Sequence, residues 1–158
     1  MTRRRRFLGA PIILATALVL GLLAAAPARA GVPTFQDRMS ASLLGTNEVP
    51  PADLDGFGDA TLQFFTSGGG LDGEICWRIR VHNIGLPALM AHIHEGAAGV
   101  NGPIVVFLTP PDATGVSQGC TAVDPDLFLA IGSNPAGYYV NVHTEEFPSG
   151  AVRGQIVN

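Results

Sequence analysis

The chain has 158 residues, a formal charge of −4 at pH 7 and 47% hydrophobic residues. Five of its nine basic residues lie in the first 30 positions. The remaining 128 residues, Gly31 to Asn158, carry four arginines, no lysine and all thirteen carboxylates, a formal charge of about −9. Such a surface repels phosphate backbones and anionic lipid headgroups, which argues against nucleic-acid or electrostatic membrane binding and favours cationic partners such as metal ions. This length predicts one domain with one core.

The N-terminus has the three parts of an export signal. Arg3 to Arg6 form a cationic head, Ile12 to Ala26 an apolar core, and Ala28-Arg29-Ala30 a small-x-small cleavage site. We therefore expect a signal peptide over 1-30 and a domain over 31-158, in a secreted, periplasmic or cell-surface protein with no membrane span after cleavage.

Two alternatives to ordinary cleavage and export stay open. Counted from Phe7, the apolar stretch reaches about twenty residues, which is enough for an uncleaved membrane anchor. Arg4-Arg5-Arg6-Phe7-Leu8 also fits the core of a twin-arginine signal, whose route carries folded proteins.

The only two cysteines are Cys76 and Cys120. In an exported chain an even pair favours a disulfide, and the alternative is two buried free thiols. Neither a Cys-x-x-Cys spacing nor a nearby histidine indicates redox or zinc-thiolate chemistry.

The domain shows the alternation of half-buried strands rather than helical spacing. Thr46 to Pro51 should end the first strand, because consecutive prolines donate no ladder hydrogen bonds, and Ser67 to Gly70 predicts a hairpin turn. Arg78, Arg80 and His82 should then face water, which excludes His82 from any site. The predicted core positions of the first three strands are Met39, Ala41, Leu43, Ala60, Leu62, Phe64, Ile75, Trp77, Ile79 and Val81.

The second half of the chain predicts further short strands. Pro110 to Pro125 is expected to be irregular, and Asp126 to Ser133 to form either a short helix or a strand. Seven or eight strands in about 128 residues are typical of an all-β Greek-key sandwich. The later strands are expected at the segment around His92, at Ile104 to Leu108, at Tyr138 to Thr144 and at Ala151 to Val157.

Three histidines are expected on one face of this sheet. Side chains alternate along a strand, so His92 and His94 project together, and His143 shares a face with Tyr139 and Asn141. Three neutral imidazoles are the ligand set of open zinc sites and also suit copper. A second interpretation is that the histidines have a structural role: they form hydrogen bonds with the backbone of the glycine-rich loop at 96–102 and hold it against the sheet.

Arg153 and Gln155 lie two positions apart on one predicted strand, so their side chains project from the same side. This side is expected to be the one that carries His143. It should either pair with a carboxylate such as Glu48 or Glu95 or hold an anionic ligand. No nucleophile with an adjacent base is visible, so nothing supports hydrolytic catalysis. The residues expected to surround the histidines or to contact a ligand are Arg153, Asn141, Tyr139 and Glu95.

Six ordered sequence segments resemble those of one known family. They are Leu44-Gly45-x-x-Glu48-Val49-Pro50-Pro51, Ala91-His92-Ile93-His94-x-Gly96, Asn101-Gly102-Pro103, and Tyr139-Val140-Asn141-Val142-His143-Thr144 with the later Phe147-Pro148-x-Gly150 and Arg153-Gly154-Gln155. The chain resembles the CHRD domain, named for chordin, an extracellular growth-factor antagonist, and found in many exported bacterial proteins. The resemblance implies an exported, non-enzymatic binding or envelope-associated module. The alternative function is a copper- or zinc-binding protein.

The His-x-His-Glu-x-Gly segment and the late Val-His also look like the copper-ligand segments of copper/zinc superoxide dismutases. These enzymes are β-sandwiches, so the expected fold is immunoglobulin-like or superoxide-dismutase-like. The zinc-ligand loop of that family has no counterpart here, because no histidine lies between His94 and His143. This departure argues against a dismutase.

Overall fold

The computed structural model describes residues 38–66 and 73–158. The predicted signal peptide, 1-30, and the predicted hairpin turn, Ser67 to Gly70, lie outside the described residues. The elements are β1 (Arg38–Leu44), β2 (Phe57–Thr66), β3 (Gly73–His82), β4 (Met90–Glu95), β5 (Ile104–Leu108), β6 (Val116–Val123), α1 (Pro125–Ser133), β7 (Tyr138–His143) and β8 (Val152–Val157), with 3₁₀ turns at Gly45–Asn47 and Pro135–Gly137.

All eight strands join one antiparallel sheet in the order β5-β4-β7-β8-β1-β2-β3-β6. The end strands β5 and β6 approach each other, so the sheet nearly closes in a sandwich- or barrel-like arrangement. The prediction of an all-β fold with seven to eight strands is confirmed. The order places β7 between β4 and β8, and this places the histidine-bearing strands side by side.

The inward faces of β1, β2 and β3 form much of the core. Every core position predicted for these strands is buried, from Met39 to Val81. The register pairs Ala41 with Ala60 and Ala60 with Ile79, so each residue of this inward row meets an inward neighbour. Removing one large apolar side chain of this core from water stabilises the fold by about 1.5–3 kcal/mol.

The expectation of an irregular segment from Pro110 to Pro125 is wrong, because β6 lies within it. This strand pairs with β3, and Ser117 is the one residue from Val116 to Val123 that is buried from solvent. Since β6 closes the end of the sheet and packs little of its surface, its sequence lacks the apolar alternation that would reveal a strand. Pairing with β3 fixes its conformation instead.

Residues 126–133, predicted as helix or strand, belong to the helix α1. The Asp124 side chain caps its N-terminus by accepting a hydrogen bond from the Asp126 backbone N–H at 2.9 Å. Phe128 and Ile131 lie three positions apart and are both buried. Within the described residues, no helix has the length and apolarity needed to cross a membrane.

Cys76 and Cys120 are opposite partners in the β3–β6 ladder and form the predicted disulfide. Their sequence separation is 44 residues. Reduction should therefore lower the free energy of unfolding by about 2–4 kcal/mol, because the reduced chain gains entropy when unfolded. Urea unfolding of the oxidised protein and of a Cys76→Ala/Cys120→Ala variant measures this difference. Equal midpoints and slopes would contradict it.

Candidate metal centre

The polar residues of β4, β7 and β8 meet on one side of the sheet. The register aligns His92 with Asn141 and Asn141 with Arg153 in one row across the three strands. The next row aligns His94 with Tyr139, and the opposite side carries core residues such as Ile93. We call this side the polar face; it consists of His92, His94, Tyr139, Asn141, His143, Arg153 and Gln155.

The three histidines of the polar face converge. One ring nitrogen from each of His92, His94 and His143 lies within 4.8 Å of the other two. The closest approach is between His92 Nδ1 and His143 Nε2, at 3.1 Å. Two imidazole ligands of one tetrahedral zinc lie roughly 3.3 Å apart, given bonds of about 2.05 Å. The closest pair is near this spacing, and the third imidazole nitrogen lies within 4.8 Å of both.

Backbone carbonyls fix the tautomers of two of these rings. His94 Nδ1 donates to the Gly102 carbonyl at 2.9 Å, and His143 Nδ1 donates to the Pro148 carbonyl at 3.1 Å. A carbonyl only accepts hydrogen bonds, so Nε2 of each neutral ring carries the lone pair. Histidines that bind metal usually donate their other ring N–H in this way.

Burial keeps the three imidazoles neutral. His92, His94 and His143 are 3%, 8% and 6% exposed. Desolvation, aided by the neighbouring rings of His143 and His94, lowers the pKa of His92 to about 4. Desolvation also lowers the pKa of His94 and of His143, although the hydrogen bonds to Gly102 and Pro148 oppose the shift. Neutral imidazole is the form that binds a metal ion.

The same contacts hold the loop that follows β4. The Tyr139 hydroxyl accepts a hydrogen bond from the Gly102 backbone N–H at 3.1 Å, and the Tyr139 ring stacks on His94 with centroids 4.9 Å apart. Both backbone polar groups of Gly102 are therefore bonded to the polar face. A Cβ at this position would overlap the Glu95 carbonyl, so the close approach requires glycine.

Arg153 joins two loops to the polar face. Its Nε donates to the Asn47 carbonyl at 2.6 Å, and its Nη1 donates to Asn101 Oδ1 at 2.8 Å. The guanidinium lies over the Tyr139 ring, 4.8 Å from the centroid. Arg153 Nε lies 3.9 Å from Glu48 Oε2. Of the two carboxylates expected to pair with Arg153, Glu48 is therefore the one that forms the ion pair.

Glu48 brings a buried carboxyl group to this region. Desolvation raises the pKa of Glu48 to about 7, although Arg153 and a hydrogen bond from Asn141 act in the opposite direction. In the described residues, the buried side-chain polar atoms without a hydrogen-bond partner are Glu48 Oε1, His94 Nε2, Asn141 Oδ1 and Arg153 Nη2. All four lie on the polar face or beside it, and each requires a partner such as an ion or a water molecule.

The other candidate residues have different positions. Glu95 is exposed and pairs with Tyr138 across the ladder. Desolvation by burial, and secondarily the charge of Glu95, raises the pKa of the Tyr138 phenol. His82 is also exposed, as expected, with its ring 5.1 Å from Phe57. Asn47 and Asn101 were not among the expected site residues, although Asn101 opens one of the quoted motifs.

The fold and the polar face define an all-β, disulfide-linked domain with a buried histidine cluster. The family model for the CHRD domain matches residues 39–156, and the chain belongs to this family. CHRD domains are extracellular and suggest a binding module, and the disulfide suits an oxidising compartment. Comparison with curated proteins and with solved structures yields no significant match.

Proposed function

We propose that this chain is an exported binding module and that His92, His94 and His143 bind one copper or zinc ion. The proposal is for binding without catalysis. The polar face supplies no nucleophile paired with a base, and its histidines are engaged by one another and by backbone carbonyls.

The unpaired Nε2 of His94 carries the proposal. This atom is buried, it holds a lone pair because Nδ1 donates to Gly102, and no group of residues 38–66 or 73–158 donates to it. If His94 had only a structural role, its Nδ1 hydrogen bond to the Gly102 carbonyl would be sufficient for that role. That bond leaves His94 Nε2 without a partner. A metal ion bound jointly with His92 and His143 would supply this partner, because one ring nitrogen of each histidine lies within 4.8 Å of the other two.

The ligand chemistry selects the class of metal. Three imidazoles without a carboxylate suit zinc and copper, whereas calcium and magnesium prefer oxygen ligands. Neutral rings with lowered pKa values also predict that binding persists below pH 6.5, where exposed histidines become protonated.

Metal titration of tag-free protein tests this proposal. Calorimetry with zinc, and with copper in a weakly competing buffer, should give one site per chain at pH 7 and retained binding at pH 5.5. Absence of stoichiometric binding of either metal at pH 7 would refute it.

Export is the other part of the proposal. It is supported by the extracellular family, by the disulfide and by the cationic head and apolar core of the N-terminus. Intact-mass measurement of the protein recovered outside the cytoplasm should give a chain that begins at Gly31. A membrane-bound product that retains residues 1–30 would support the uncleaved anchor instead.

A further inference from the structure

The exposed positive charge of the described domain is confined to one surface. Among residues 38–66 and 73–158 there are four arginines and no lysine. Arg153 is buried in the polar face, whereas Arg38, Arg78 and Arg80 are exposed. These three arginines lie on the outward sides of β1 and β3, the half of the sheet away from the histidines.

Strand register places these arginines around one depression. Arg38 pairs with Gln63, Arg78 pairs with both Thr61 and Gln118, and Arg80 pairs with Asp59. The depression has a volume of about 370 Å³. We call this surface the basic face; its lining includes Arg38, Thr61, Gln63, Arg78, Arg80 and Gln118.

Two of the three charges are available to a ligand. The structure pairs Arg80 with Asp59 at 3.7 Å, and both side chains are about half exposed. Among the described residues, no carboxylate forms an ion pair with Arg38 or Arg78. Glu74 lies two positions before Cys76 on the same side of β3. The three arginines outnumber the carboxylates of Asp59 and Glu74, so the basic face has a small positive net charge, whereas the domain as a whole is strongly negative.

We propose that the basic face binds an acidic polysaccharide of the cell envelope through its carboxylate groups. Arg38 and Arg78 would pair with carboxylates, and the Thr61 hydroxyl and the amides of Gln63 and Gln118 would bond to sugar hydroxyls. A nucleic acid fits less well, because it carries about one charge per 1.7 Å and the acidic remainder of the domain repels so dense a charge more strongly than one carboxylate per sugar. A polysaccharide has fewer charges and more hydroxyls.

Binding to polygalacturonate tests this proposal, with neutral dextran as the uncharged control. The oxidised protein should bind polygalacturonate and not dextran, and binding should weaken between 50 and 300 mM salt as the charges are screened. The double variant Arg38→Gln/Arg78→Gln should bind about tenfold more weakly. Both positions are exposed, so folding should be unaffected.

A matched variant separates local charge from net charge. Ala97→Glu/Ala98→Glu changes the net charge by the same −2 at exposed positions in the loop after β4. It should bind polygalacturonate with at most a twofold loss. An equal loss in both double variants, equal binding to dextran, or a preference for DNA over polygalacturonate would overturn the proposal. Because the proposal requires no metal, His94→Ala should bind polygalacturonate normally, and failure of the metal site leaves this test unaffected.

Discussion

Alanine at His94 is expected to lower the affinity for zinc or copper by more than about 100-fold. The substitution removes one of three ligands, and even the loss of a group that only orients a ligand typically costs 10–100-fold. Calorimetric titration at pH 7 of the wild type and of His92→Ala, His94→Ala and His143→Ala measures the change. All three variants should lose affinity, because each contributes one converging nitrogen.

His82→Ala is the matched control for this series. His82 is the remaining histidine of the chain and is exposed outside the polar face, so its removal should leave metal affinity unchanged. A loss at His82 equal to the loss at His94 would indicate surface binding and contradict the assigned site.

Stability of the metal-free protein separates binding from a purely structural role. His94→Ala also leaves the Gly102 carbonyl without its donor, which should cost about 1–3 kcal/mol in the absence of metal. If the wild type binds no metal at one equivalent and the three variants only lose stability, the histidines serve to tie the loops to the sheet. Stoichiometric metal that raises the wild-type melting temperature, but not that of His94→Ala, supports binding.

Methionine at Arg153 is expected to lower the free energy of unfolding by about 3–5 kcal/mol at pH 8. The change keeps an unbranched aliphatic side chain but leaves the Glu48 carboxylate buried without its counter-charge. It also removes the hydrogen bonds to the Asn47 carbonyl and to Asn101, which hold two loops. Urea unfolding at pH 8 and pH 5 measures the cost.

The cost of this substitution should depend on pH through Glu48. A folded-state pKa of about 7, above the ordinary 4.5, means that the folded protein binds an extra proton between these values. The stability gained from this proton is full below pH 4.5 and is lost as pH rises through 7. Since loss of Arg153 removes an interaction that favours the carboxylate, it raises this pKa further, and the variant should be penalised less at pH 5 than at pH 8.

Two further variants test the cause of this effect. Glu48→Gln in the Arg153→Met background removes the buried charge and should restore part of the stability at pH 8. Arg78→Met, at an exposed position, should change stability by no more than about 0.5 kcal/mol. An equal loss at both pH values with no recovery from Glu48→Gln would show that the cost comes from packing alone.

The sequence by itself determined the local features whose causes are local. The alternation of apolar residues identified the core-facing sides of β1, β2 and β3, because one side of each strand is buried and the other is exposed to solvent. The same period of two placed His92 with His94, and Tyr139 with Asn141 and His143, on common sides of their strands. The cysteine pair was also predictable, since the chain holds only two.

Tertiary structure alone decided how these pieces meet. The order β4-β7-β8 brings His143 beside the His-x-His pair, and no local pattern specifies strand order. The sequence did not predict strand β6, because its extended conformation is stabilised by pairing with β3 and its own residues show no apolar alternation. The tautomers of His94 and His143 are set by carbonyls of Gly102 and Pro148, which only the folded loops bring within hydrogen-bond distance.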